Sequence, residues 1–396
     1  MNQGDFPEII SKLPQFGTSI FARMTELANR HQAVNLAQGF PDFSPPSELI
    51  DALADAARNG HNQYAPMPGV LKLREQLAER IYRQYQFQLD PGSQITVTAG
   101  ATQAIYTVIS TFTKPGDKVI IFEPAYDSYA PSVLVNGGVP IYLRLQEPLF
   151  SIPWNQLEDT LKSGDIRMMI VNNPHNPSAT VLSADDMMKL VKMVRQYNTL
   201  IIWDEVYDLL TFDQLIHQSA LLYEEIIEQS IVVYSLGKTL HNTGWKLGYI
   251  VARSELTAEI RKLHQFTVFS VHTPSQYAVA AFMSEFPEFF DGLAGFYQEK
   301  RDQFYTLVSD CGLQWLNTKG SYFMLAGFRH LGNITDMEAA QRLTELCGVA
   351  CVPISAFYHD HYDSGILRFC FAKKKETLSE AAFRLKQIHQ HNIFNK

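Results

Sequence analysis

Apolar residues along the chain alternate between short unbroken runs and longer amphipathic stretches. From about Ser47 onward, runs at residues 94–99, 118–122, 168–172, 200–203, 231–234 and 247–252 read as strands. Several lack polar alternation, as expected of strands covered by helices on both faces. Residues 102–112 and 183–196 between them carry helical periodicity. Strands and helices in this order predict an α/β architecture with a mostly parallel sheet. Beyond about Phe290 the order changes. A helical stretch at 296–308, a run at 322–327, a helix at 337–345 and a strand at 366–371 predict a separate α+β domain. Residues 1–45 contain no matching sheet elements and are expected to pack onto it. The expected division is an N-terminal segment (1–45), a large domain (46–290) and a small C-terminal domain (291–396).

The length of 396 residues agrees, because one compact core rarely grows so large. Hydrophobic residues at 46% and charged residues at 19% suit a globular enzyme. Aromatics at 12% fit apolar pockets or a large subunit interface. A formal charge of −8 argues against a nucleic-acid surface. The one basic run, Lys373-Lys374-Lys375, reads as a solvated face. Cys311, Cys347, Cys351 and Cys370 are too scattered for a disulfide framework, and their apolar neighbours suggest buried thiols. No second pair completes a zinc set, and His359-Asp360-His361 reads as a polar loop, so no metal is expected. Residues 1–14 show no basic region followed by an apolar stretch, so no signal peptide is expected. No apolar run approaches the roughly 20 residues that span a bilayer. The expectation is a soluble cytoplasmic protein with no membrane partner.

In open parallel sheets, ligands sit beyond the carboxyl ends of strands, so polar residues directly after strands are the candidates. Thr98-Ala99-Gly100-Ala101-Thr102 joins a strand to a helix and could cradle a phosphate, although a plain N-capped turn fits the same residues. Asn172-Asn173-Pro174-His175-Asn176-Pro177 could hold an Asn rigidly between prolines, or be a turn without a ligand. Asp204 follows four apolar residues, where a buried carboxylate calls for a cationic partner; a helix cap is the alternative. Tyr207 follows at a spacing that could turn its phenol into the same site. Ser235-Leu236-Gly237-Lys238 offers an imine-forming amine, with Ser235 and Lys246 available for an anion. Taken together, the four supply phosphate donors, a counter-ion for a pyridine nitrogen, partners for a phenolic oxygen and an imine former. That is the complement needed by a phosphorylated pyridine aldehyde.

At these residues the chain resembles the class I aminotransferases of pyridoxal-phosphate fold type I, over residues 12 to about 386. Within them it is similar to the kynurenine aminotransferase group, especially its bacterial methionine aminotransferase branch. The segments that carry the likeness include Asn35-Leu36-Ala37-Gln38-Gly39-Phe40-Pro41-Asp42-Phe43, Asn62-Gln63-Tyr64-Ala65-Pro66, Pro174-His175-Asn176-Pro177, Asp204-Glu205-Val206-Tyr207 and Gly244-Trp245-Lys246-Leu247-Gly248. The resemblance implies an aspartate aminotransferase-like fold, with a mostly parallel seven-stranded sheet between helices and a smaller α+β domain. It implies pyridoxal 5'-phosphate as cofactor, with Lys238 its Schiff-base lysine and Asp204 the partner of its ring nitrogen. Asn176 and Tyr207 match the partners of the phenolic oxygen. Gly100, Ala101, Thr102, Ser235 and Lys246 match the phosphate site, and Tyr126 the stacked aromatic ring. Arg368 matches the grip on the substrate carboxylate, while Gly39, Phe40 and Phe21 match pocket positions. Tyr64 and His272 resemble residues contributed by a partner subunit, which implies a homodimer. Many relatives place Arg where Lys246 stands, but Lys is usual in the kynurenine group.

The implied reaction moves an amino group from methionine or an aromatic L-amino acid to a 2-oxo acid by a ping-pong route. A C–S β-lyase on the same fold is the nearest alternative. A ligand-sensing regulator would need a DNA-binding domain, for which a pattern starting by Lys12 leaves no expected room. A nicotinamide dehydrogenase is disfavoured because no G-x-G-x-x-G occurs in the chain.

Overall fold

The computed structural model describes residues 10–391 and 393–394. Residues 1–9, and with them most of the stretch read for a signal peptide, lie outside the described residues. So do 392, 395 and 396 of the expected C-terminal domain. The first strand, β1 (Val34–Asn35), follows a helix over Ile20–Arg30. Seven strands then build one sheet: β2 (Ile95–Thr98), β3 (Lys118–Glu123), β4 (Val139–Arg144), β5 (Ile166–Asn172), β6 (Leu200–Asp204), β7 (Ser230–Ser235) and β8 (Gly248–Ala252). Their order is β2-β8-β7-β6-β5-β3-β4. Only β8 runs against its neighbours.

Burial explains why the strands were readable. Every residue of β2 and β8 is buried, as are five of the six in β3. By contrast β4, which the apolar pattern did not reveal, has one buried residue, Leu143. Helices cover both faces. The expected helix at 183–196 forms over Ala184–Tyr197, started by a capping box in which Ser183 and Asp186 satisfy each other's backbone N–H groups. The helix expected at 102–112 starts earlier, at Gly100.

Register then does the functional work. Asn172 lies opposite Asp204, Asp204 opposite Val233, and Ser235 and Thr98 both opposite Gly248. Strand-end residues distant in sequence are thereby aligned along one edge of the sheet. Gly248 has to be glycine: a Cβ there would lie 2.7 Å from Tyr234 O and 2.9 Å from Ala101 N.

The C-terminal part holds β9 (Gln314–Trp315), β10 (Phe323–Gly327), β11 (Val349–Ala350), β12 (Val352–Pro353) and β13 (Ile366–Cys370). Four of these form an antiparallel sheet in the order β12-β13-β10-β9, with Arg368 in its interior. The strand β1 pairs in parallel with β11. The expected helix at 337–345 is α-helical only over Asp336–Arg342 and continues as a π-turn.

One reading is corrected. Lys373 is 3% exposed, so the basic run is not a uniformly solvated face. Its ammonium is drawn inward by the backbone carbonyls of Gln38 and Phe40. In the loop read at 359–361, His359 bonds to Glu123 and Asp360 pairs with Arg144. All four cysteines are buried. Among the described residues, no helix is long and apolar enough to cross a membrane.

Candidate active site

The carboxyl ends of β5, β6 and β7 open onto a cavity of about 260 Å³. One end is formed by the helix Gly100–Phe112. The N-cap residue, Ala99, has no side-chain oxygen to cap the first turn, and Gln103 Oε1 accepts only the Ala99 N–H at 3.0 Å, so the plain N-capped turn is not what forms. The free N–H groups of its first turn are available to an anion. Gly100 has φ of +80°, a left-handed conformation that favours glycine. A Cβ there would lie 3.6 Å from Lys246 Nζ, so the ammonium stands beside the helix start. Ala101, Thr102 and Ser235 line the same cavity.

Asp204 ends β6 and is 4% exposed. One carboxylate oxygen accepts the Tyr129 hydroxyl, and the other accepts the Val206 N–H at 3.4 Å. Burial pushes the carboxyl up to about 6, against the opposing pull of the Tyr129 hydrogen bond. Among the described residues, no Lys, Arg or His forms an ion pair with it. Ionised, a carboxylate buried in this way calls for a cationic partner.

Lys238 follows β7 in the short helix Leu236–Thr239. Its Nζ donates to Gly39 O at 3.2 Å and lies 5.5 Å from the Tyr322 ring centroid and 5.8 Å from that of Tyr207. Burial, aided by the charges of Arg368 and Lys246, lowers its ammonium to about 8, which leaves a useful share of neutral amine near neutral pH. Burial pushes the Tyr207 phenol far up, so it remains a donor.

The turn after β5 is held from within. Asn172 donates to Asp204 O at 2.8 Å and accepts the Asn176 N–H at 2.7 Å. Asn176 Oδ1 in turn accepts Arg368 Nη1 at 2.7 Å. Arg368 is fully buried, donates through Nη2 to Ala37 O at 3.0 Å, and has its Cζ 3.9 Å from the Phe323 ring centroid. Its Nε has no partner. Phe21, Gly39, Phe40 and Tyr126 complete the expected wall, with the Tyr126 hydroxyl 3.4 Å from Thr102 Oγ1.

Two predicted residues stand elsewhere. Tyr64 is 80% exposed and packs edge-on against Phe269, and His272 bonds Ser275 Oγ at 2.7 Å. Neither lines the cavity of its own chain. Sequence reasoning missed Tyr129 and Tyr322. Their partners lie 75 and 283 positions away, so no local signal existed.

The family model for aminotransferase class I and II matches residues 31–385. The chain is 45% identical to the methionine aminotransferase of Escherichia coli K12 over 378 residues, which is 96% of this chain and 98% of that protein. It is 32% identical to a kynurenine–oxoglutarate transaminase of Dictyostelium discoideum, covering 92% of this chain and 93% of the other. A crystal structure of the Escherichia coli methionine aminotransferase superposes with a TM-score of 0.94 at 44% identity, covering 96% and 99% of the two chains. That of N-succinyldiaminopimelate aminotransferase from Mycobacterium tuberculosis gives 0.91 at 34% identity, covering 96% and 99%. These relatives support transamination rather than the β-lyase alternative. With most of its length matched and its strand-end residues gathered in one cavity, the chain belongs to the class I and II aminotransferases and is an aminotransferase enzyme.

Proposed function

We propose that the chain is a pyridoxal 5'-phosphate-dependent transaminase that takes the amino group from methionine or an aromatic L-amino acid, kynurenine among them, and passes it to a 2-oxo acid. Class I and II aminotransferases use this cofactor. The residues present fit it. The uncapped helix start beside Lys246 suits a phosphate, the unpaired Asp204 suits a protonated ring nitrogen, and Lys238 suits an aldehyde. When bound, the cofactor supplies an electron sink for the pair left at the substrate α-carbon.

The chain's own groups do the rest. Asp204 would keep a proton on the ring nitrogen. Tyr207 and Asn176, which line the cavity, would hold the cofactor's phenolic oxygen, and Tyr126 would pack against its ring. Arg368 binds the substrate α-carboxylate, a planar fork against a planar anion. Lys238, its Nζ steadied by Gly39 O, would take the α-proton as general base.

The observation that carries this reading is one cavity lined by a buried carboxylate without an ion-pair partner and by a buried amine. Specificity rests on the wall. Phe21, Phe40, Tyr126 and Phe323 are apolar or aromatic, and Arg368 is the one arginine lining the cavity among the described residues. A second, side-chain carboxylate would find no arginine there. The names of the relatives, for methionine and kynurenine, support the same preference.

We also propose a cytoplasmic homodimer in which Tyr64 and His272 serve the partner's cavity, and a division at about residues 45 and 290. The deciding experiment is a donor screen of the half-reaction. Bleaching of the bound cofactor's visible band should be efficient with L-methionine, L-phenylalanine or L-kynurenine and poor with L-aspartate. A strong aspartate preference overturns the specificity.

A further inference from the structure

Lys373 has a role that its place in a basic run conceals. It is 3% exposed, and among the described residues no carboxylate lies within ion-pairing distance of it. Burying an ammonium without a counter-ion is costly unless its donors are satisfied. Here they are met by backbone oxygens: Nζ lies 2.8 Å from Phe40 O and 3.4 Å from Gln38 O, and 4.9 Å from the Phe40 ring centroid.

Those two carbonyls flank Gly39, whose own carbonyl accepts both Lys238 Nζ at 3.2 Å and the Tyr322 hydroxyl at 2.5 Å. Gln38, Gly39 and Phe40 all line the cavity. The surrounding attachments run between the same two stretches of chain. Arg368 Nη2 bonds Ala37 O, the Cys370 N–H bonds Leu36 O at 2.8 Å, and the Lys374 N–H bonds Asp42 Oδ1 at 2.6 Å. Lys300 Nζ in turn donates to Lys373 O at 3.0 Å. Residues 36–42 are thus fastened at both ends by backbone and Arg368 contacts. Over their middle, where the pocket wall is formed, Lys373 fastens the carbonyls of Gln38 and Phe40, while Lys238 and Tyr322 hold that of Gly39 between them.

We propose that Lys373 is a positioning residue for the transamination site. It holds residues 38–40 so that Phe40 and Gln38 form the substrate-side wall and the Gly39 carbonyl faces Lys238. It touches neither substrate nor cofactor in this role. The inference rests on the function proposed above, but its first readout does not.

The test compares Lys373→Met, Lys373→Arg and the exposed neighbour Lys374→Met by amide hydrogen exchange and by steady-state kinetics. Lys373→Met keeps the stem and removes the donors. It should speed exchange across residues 37–41 in enzyme without substrate, leaving the helix Ala184–Tyr197 unchanged. It should also raise KM for L-methionine about tenfold, the size of one lost charge-assisted hydrogen bond, with a smaller change in kcat. Lys373→Arg should restore most of both, and Lys374→Met should change neither. If Lys373→Met fails to fold, Lys373→Gln, which keeps one donor group, is read in the same two ways. Unchanged exchange at 37–41, or unchanged KM alongside a loss of thermal stability alone, overturns the positioning role. Failure of the enzyme to transaminate any donor would instead overturn the functional reading and leave the exchange result to stand on its own.

Discussion

Arg368 Nη1 donates to Asn176 Oδ1 across 2.7 Å, joining two site residues that lie 192 positions apart. The contact ties the C-terminal sheet to the turn after β5, so the residues proposed as the carboxylate grip and as a ring-oxygen partner are set by one another. Arg368 is also hemmed in by Phe323, Phe357 and Phe21, with ring centroids 3.9, 5.1 and 5.2 Å from Cζ. In such surroundings a carboxylate bound by the fork is worth far more than one in water.

Arg368→Lys should therefore raise KM for every amino donor by roughly 10–100-fold, because an ammonium cannot serve Asn176, Ala37 and a carboxylate in one plane. Steady-state kinetics with three donors checks this. A loss confined to one donor would point to side-chain recognition instead.

The buried carboxylate of Asp204 makes a second prediction, on stability. Burial raises it from 3.8 to about 6, so the folded protein binds a proton there more readily than the unfolded chain does. The stabilisation is full below the unfolded value and is lost as pH rises through about 6. Cofactor-free enzyme should lose on the order of 3 kcal/mol by this route between pH 4 and 7. Asp204→Asn should escape that loss, matching or exceeding the parent in urea unfolding at pH 7, while turnover falls by roughly 10²-fold or more.

Lys238 supplies a kinetic counterpart. Burial lowers its ammonium to about 8, and only the neutral amine attacks an aldehyde. The rate at which cofactor-free enzyme captures pyridoxal phosphate should climb about tenfold per pH unit below pH 8 and flatten above it. A stopped-flow absorbance series checks the profile. A rate flat from pH 6 to 9 would contradict it.

Gly248→Ala tests the packing that shapes the anion end. The added Cβ would meet Tyr234 O at 2.7 Å and Ala101 N at 2.9 Å, both backbone atoms that cannot swing aside. The variant should lose roughly 1–3 kcal/mol of stability, typical of overpacking. Its affinity for inorganic phosphate should weaken as well, because the helix start moves.

How much was legible in the chain depended on whether chemistry followed directly upon an apolar run. Asp204, Asn172, Ser235 and Thr98 end strands that are largely or wholly buried, so each stood out where its strand stopped. The direction of β8 was not legible, since an all-buried strand reads alike in either sense. The strand β4 escaped because its half-exposed residues dilute the apolar signal. Tyr129, Tyr322 and Lys373 were hidden for another reason. Each acts through a partner brought near only by folding, and a buried lysine bonded to carbonyls looks in sequence like any surface lysine.

The central claim is that Lys238 is the amine that holds the cofactor and moves the proton. Absorbance and turnover of Lys238→Ala, measured after loading with pyridoxal phosphate, test it most directly. The account predicts a spectrum of bound but unlinked aldehyde, cofactor that dialyses away, and no turnover unless a small amine is added. A linked spectrum with near-normal turnover and no added amine would contradict it.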